Sequence, residues 1–235
     1  DETLISEFRN ERATRALEKT DVPAKRRLLN DFLAANKEFP SFKKFKEVFD
    51  GLDLTGFEIK TSLQSQILYS LVAFKAGISV AADTVMKKFD THSDHDNRQA
   101  IEMVTLNDGI MLMWHLAEQV EIADKLNVFI ASDFGRTPYY NAGGGKDHWP
   151  VGSSIIMKKG VDWTNRMVGE TDAGQKTLNL NPSTLAPDNN GVTVEPKHVM
   201  KFARNVLQID DDPILSSFDL RVDEDYMDFS GGFYS

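Results

Sequence analysis

Two short apolar runs on either side of one long helical stretch constrain this chain more than any other feature. The first lies in GISVAADTVMKKFDTH, where Gly77 ends a helical pattern and Ile78, Val80, Ala82 and Val85 stand among small residues on the way to Asp90. The second is NVFIAS, residues 127–132, whose length and apolarity fit a strand covered on both faces. Between them NRQAIEMVTLNDGIMLMWHLAEQVEIADKL sets Ile101, Val104, Ile110, Met111, Trp114, Leu116 and Ile122 at helical spacing, with Asp108-Gly109 as its weak point. Strand, helix, strand in that order predicts a right-handed crossover and parallel pairing. The expected fold class is therefore α/β, a central, mostly parallel sheet flanked by helices. Loops opening at Asp90 and Asp133 would then sit at the carboxyl ends of neighbouring strands, the edge at which open α/β sheets bind ligands.

The rest of the chain reads around that centre. From Thr3 to Phe49 the pattern is helical and highly charged, with Pro23 restarting it, as in helices that cover a core. Pro40 and DGLDLTG break it, and Leu63, Ile67, Leu68, Leu71 and Val72 then form a helical face that reads as buried. VGSSIIMKKG after Pro150 predicts a third strand, and VEPKHVMKFARNVLQI a helix with Glu195 and Pro196 near its start. The turn-rich stretch from Gly169 to Gly191 reads as surface, and the acidic tail from Asp210 onward as solvated. At 235 residues and 41% hydrophobic content the expectation is a single α/β domain over 1–235, with 1–60 a charged covering segment and 62–209 the core.

Lys and Arg number 27 against 36 Asp and Glu, and the resulting net charge of −9 argues against a general nucleic-acid binder. It leaves room for a small anionic substrate held in a local site. The absence of Cys excludes disulfides, Cys-ligated zinc and thiol catalysis. No stretch approaches the roughly 20 apolar residues of a membrane span. The sequence starts at Asp1, without Met or a signal pattern, so the natural product is expected to be longer. Its oligomeric state is left open.

Three short motifs fail on their context. Asp133-Phe134-Gly135 lacks the catalytic loop and Gly-rich strand of a kinase. Gly143 to Lys146 is followed by Asp147 where a phosphate loop needs Ser or Thr. DTHSDHDN has His95 or Gln99 at the position where a calcium loop requires Gly. What remains is Asp90 and His92 after one strand, Asp133 after the next, and Asp147 and His148 beyond the glycine run. Carboxylates and imidazoles of this kind hold zinc, manganese or similar divalent metals. In an extended Asp-x-His both side chains share one face, so Asp90 and His92 converge. Each residue also has an ordinary reading: Asp90, Asp94 or Asp96 as a helix cap, Asp133 in a turn, His148 packed with Trp149, and His92 as a hydrogen-bonded loop residue.

FDTHSDHDN, SDFGRTPYYNAGGGKDHWP and the later GETDAG resemble the family called domain of unknown function 1501, over roughly Ser62 to Ile209. That family is similar to the alkaline phosphatase and sulfatase superfamily. The resemblance implies an alkaline-phosphatase-like fold, one or two metals, and hydrolysis of a small anionic phosphate or sulfate ester. Members are often exported, which implies a periplasmic or extracellular location. Carried over, Asp90 and His92 match one metal pair, Asp133 the acid after the next strand, and His148 a late ligand. Arg136 would then grip substrate oxygens, or alternatively bridge to Asp133 or Asp147 and hold the loop shut, while Lys146 adds charge. Tyr139, Tyr140 and Trp149 pack the loop. The chain departs from the superfamily at Phe134, where a second metal ligand often stands, and in showing no early strand that ends in a nucleophile. The hydrolase site is thus expected to be incomplete on this chain, and a noncatalytic binding or structural relative is the alternative.

Overall fold

The computed structural model describes residues 2–161, 163, 165–218 and 220; the remainder of the acidic tail lies outside the described residues. In chain order the elements are α1 (Glu2–Glu18), α2 (Pro23–Asp50), α3 (Ser62–Ala76), α4 (His95–Gln119), β1 (Asn127–Ala131), β2 (Gly135–Arg136), β3 (His148–Trp149), β4 (Ser154–Lys158), α5 (Pro196–Leu207) and α6 (Pro213–Ser216). Helices dominate, and among the described residues the expected central parallel sheet is not formed. Among the described residues the strands make two antiparallel pairs instead. β1 runs against β4 from Asn127↔Lys158 to Ala131↔Ser154, and β2 against β3 through Gly135↔Trp149 and Arg136↔His148.

The correction has a physical cause at each strand. The segment leading into Asp90 carries the apolar alternation of a strand, yet residues 81–91 adopt no regular structure, and Val80 is wholly exposed. Its backbone finds a side chain rather than a neighbouring strand: Gln66 Nε2 donates to the Val85 carbonyl at 3.0 Å, and Val85 N–H donates to Gln66 Oε1 at 2.8 Å. β1 does form where NVFIAS predicts a strand, but Phe129 is exposed, so it is not covered on both faces. The chain after β1 returns β4 antiparallel alongside it, a pairing that needs no crossover helix.

The chain divides into two compact units, Asp1–Met86 with Thr105–Ile122, and Lys87–Val104 with Ala123–Ser235. In the first, α3 is started by a capping box between Thr61 and Gln64 and stopped by Gly77 in the left-handed region at φ 75°. The face read as buried is buried: Leu63, Ile67, Leu68, Leu71 and Val72 are all at most 7% exposed. Gly109 lies so close to Leu63 and Ile67 that a Cβ would stand 2.6 Å from Leu63 Cδ2, so the glycine permits a close approach at the point marked as the helix's weak one. α2 likewise runs through Pro40 to Asp50. Beyond the proline, Phe49 stacks on Tyr69 with ring centroids 6.0 Å apart, an anchor that offsets the lost backbone donor. His115 is structural: its ring packs 4.6 Å from Phe57 and its Nε2 is 2.6 Å from Gln119 Nε2.

In the second unit Leu180 and Leu185 form a small core with Val168 and Val194, while Phe202 and Val206 are the buried apolar residues of α5. α5 begins where Glu195 and Pro196 predicted. Glu195 N–H donates to His198 Nδ1 at 2.8 Å, so this buried histidine belongs to the helix start.

Candidate metal centre

Two segments of the second unit, 89–99 and 134–149, are laced together by their backbones. Lys146 N–H donates to the Thr91 carbonyl at 3.0 Å and His95 N–H to the Gly144 carbonyl at 3.0 Å, and Ser93 bridges to Gly144. The glycine run makes this contact possible by absence of bulk: a Cβ on Gly145 would fall 1.9 Å from the His92 carbonyl carbon. Close approach, more than flexibility, is the physical reason for glycine there.

Thr91, wholly buried, anchors the Asp-Thr-His stretch from behind. Gln99 Nε2 donates to Thr91 Oγ1 at 3.0 Å and to the Phe89 carbonyl at 2.7 Å, while Thr91 Oγ1 lies 2.7 Å from His95 Nδ1. Burial, and next the charge of Lys146, hold His95 below the ordinary histidine pKa. His95 therefore supports the segment from the side of Thr91.

With Thr91 turned inward, Asp90 and His92 turn outward together. Asp90 Oδ1 lies 2.9 Å from His92 Nε2 and 3.0 Å from His148 Nε2, and the two imidazole nitrogens are 3.2 Å apart. Ligand atoms of these three residues form the cation-sized cluster found among the described residues. Two donors bound tetrahedrally at about 2.0–2.1 Å from zinc stand about 3.3 Å apart, so all three edges of this triangle match one face of such a site. The donor set, two imidazoles and a carboxylate, is one that zinc accepts. All three side chains are about half exposed, which leaves the triangle open to a small molecule.

Around the triangle the remaining residues divide. Arg136, on β2, donates to Asp90 Oδ1 and also to the Lys146 carbonyl at 2.8 Å. Its hydrogen bond, followed by that of His148, lowers the Asp90 pKa to about 2. The guanidinium is thus paired, with Asp90 rather than with Asp133 or Asp147. Phe134 stacks on His148 with centroids 3.8 Å apart and lies beneath Arg136, so the residue standing in place of a second ligand packs the first site instead. Asp147 meets His92 from the other edge of its ring, Oδ1 to Nδ1 at 3.0 Å, and hydrogen bonds from Asn141 and then His92 lower its pKa. Lys146 Nζ sits 4.9 Å from the centre of the Tyr140 ring, and the Tyr140 hydroxyl donates to Asp96 at 2.8 Å. Trp149 donates from Nε1 to the Gln175 carbonyl at 2.8 Å. Asp133 is exposed on the loop after β1 and does not join the triangle. Asn141, which the sequence reading passed over, ties the loop to the site by donating to the His92 carbonyl at 3.1 Å and to Asp147 Oδ1 at 3.0 Å. Its place between an aromatic pair and a glycine run is a turn signature, the one sequence signal that points to it.

No curated protein and no solved structure matches this chain. The profile of the family described as Protein of unknown function (DUF1501) matches residues 41–186 of the 235, and the chain belongs to that family.

Proposed function

We propose that this chain carries a divalent-metal centre on Asp90, His92 and His148 that serves the hydrolysis of a small phosphate or sulfate ester. The observation that carries the reading is the triangle of ligand atoms with edges of 2.9, 3.0 and 3.2 Å. A metal held there would supply Lewis acidity toward an ester oxygen. Asp90 brings the negative charge, kept ionised by Arg136, and the two imidazoles bring nitrogen donors. An ionised carboxylate offers about four lone-pair sites, so Asp90 has capacity for Arg136 and a cation together. The resemblance to the alkaline phosphatase and sulfatase superfamily supports the substrate class. So does Arg136, a cation held against Asp90 on a chain of net charge −9. By the same resemblance we propose a periplasmic or extracellular location, checked by fractionating cells that express the native gene.

A second reading has its own observation. The Arg136 side chain is 13% exposed and already bonded to Asp90 and to a backbone carbonyl, which favours a noncatalytic relative that keeps the cluster to hold its loops. Metal analysis of protein purified without chelator, followed by phosphate and sulfate ester assays of wild type and His148→Ala, separates the two. The expected result is one metal per chain, lost in the variant together with hydrolysis. A metal-free protein whose melting is unchanged in the variant overturns the hydrolase reading.

A further inference from the structure

Asp147 and His148 are neighbours in sequence, yet they reach His92 on different nitrogens. His148 Nε2 faces His92 Nε2 at 3.2 Å, while Asp147 Oδ1 faces His92 Nδ1 at 3.0 Å. Consecutive side chains of an extended segment diverge, so a pair of adjacent residues is suited to grip one ring from two sides. An ionised carboxylate only accepts hydrogen bonds. A cation held by His92 Nε2 would leave the ring's one proton on Nδ1, where Asp147 accepts it, whereas in its absence Asp90 Oδ1, 2.9 Å from Nε2, competes for that proton.

Asp147 is itself fixed before any ligand arrives. Its Oδ1 accepts from Asn141 Nδ2 at 3.0 Å, and Asn141 Oδ1 accepts from the N–H groups of Gly143 and Gly145 at 3.0 and 2.9 Å. Its own N–H donates to Thr137 Oγ1 at 3.2 Å, and its carbonyl accepts from Thr137 N–H at 3.0 Å. Thr137 is 3% exposed, so this clamp rests on buried structure.

We infer that Asp147, expected from sequence to be a metal ligand, is a positioning residue that selects the His92 tautomer and presents Nε2 to a cation. The inference rests on the metal-centre reading and goes beyond it, because it moves one of the five sequence-selected ligands out of the coordination set. Carboxylates that accept from the far nitrogen of a ligating histidine raise its basicity and fix its ring, and their loss weakens metal affinity by about 10- to 100-fold.

Zinc titrations against a chromophoric chelator test this on metal-stripped wild type, Asp147→Ala, Asp147→Asn and His92→Ala, each checked for native circular dichroism and melting. Wild type is expected to bind zinc, His92→Ala to lose binding, and Asp147→Ala to bind about 10- to 100-fold more weakly. Asp147→Asn, which keeps an acceptor oxygen for Nδ1–H and folds with the same loop contacts, is expected to recover part of that loss. Equal affinity in wild type and Asp147→Ala overturns the inference and leaves the metal site standing. Loss of binding in Asp147→Ala as complete as in His92→Ala also overturns it, since that marks a ligand. Wild type that binds no zinc sinks the metal site and this inference together.

Discussion

One oxygen atom organises the site. Asp90 Oδ1 accepts from Arg136 and lies 2.9 and 3.0 Å from Nε2 of His92 and His148, and its pKa falls to about 2, with the Arg136 hydrogen bond the largest cause. A carboxylate depressed on folding adds stability that is fully present above its unfolded value near 4 and is lost as pH falls through the folded value. The window for Asp90 is thus about pH 4 down to about 2. Replacing Arg136 by Leu removes the first cause, so the Asp90 titration, followed by carboxyl carbon resonances in NMR, is expected to move up toward the ordinary value near 3.9. A midpoint still at about 2 would show that His148 or another group carries the shift. At this scale the sequence was informative where the chemistry is local. Asp-x-His on extended backbone brought Asp90 and His92 together because side chains two apart share a face. Asp147 stands on the opposite edge of His92 from the triangle because its partner is set by how two distant segments cross, which residue types do not encode.

At the scale of elements, helices were legible and strand pairing was not. The α3 face and the α5 start follow from i, i+3, i+4 spacing and from capping residues, all properties of a short window. A strand exists only when another backbone lies beside it, and among the described residues the run from Ile78 to Val85 pairs with none. Gln66 supplies the substitute, a side-chain amide that pairs with both the N–H and the carbonyl of Val85. Such a two-point clamp on an exposed segment predicts a local role. Gln66→Ala is expected to raise amide exchange at Val85 and speed proteolysis between residues 78 and 89, with α3 keeping its circular dichroism. The side chain is partly exposed and also donates to the carbonyl and Oγ of Ser62 in its own helix, so the global cost should be about 1–2 kcal/mol, the net worth of a few hydrogen bonds. Unchanged exchange at Val85 would mean that other contacts hold the segment. α4 teaches the converse lesson: Gly109 costs helix propensity but admits Leu63 and Ile67, so packing outweighs the local penalty and the helix does not break.

On the scale of the whole chain, every residue of the candidate centre belongs to the second unit, and its two segments are joined across more than fifty positions of sequence. A cation bridging Asp90 and His92 to His148 would therefore close a long loop, the circumstance in which a cross-link removes most entropy from the unfolded chain. A ligand that binds only the folded state stabilises it by about 2.7 kcal/mol at a hundred times its dissociation constant. The net charge of −9 attracts a divalent cation and repels an anionic ester, so the charge of a bound cation would have to offset the field of the whole. The natural reporters are the two amides that lace the segments, Lys146 to Thr91 and His95 to Gly144, and one within the second segment, Thr137 to Asp147. Zinc added to metal-stripped protein is expected to slow hydrogen exchange at these three amides, and the same concentration is expected to leave them unchanged in His148→Ala. His148 is suited to this control because its ring is half exposed and contacts Phe134 at the surface, so truncation leaves the Asn141 and Thr137 clamps in place. Protection that rises equally in the variant would assign the zinc effect to another site, and no rise in wild type would remove the cross-link from the account of this unit's stability.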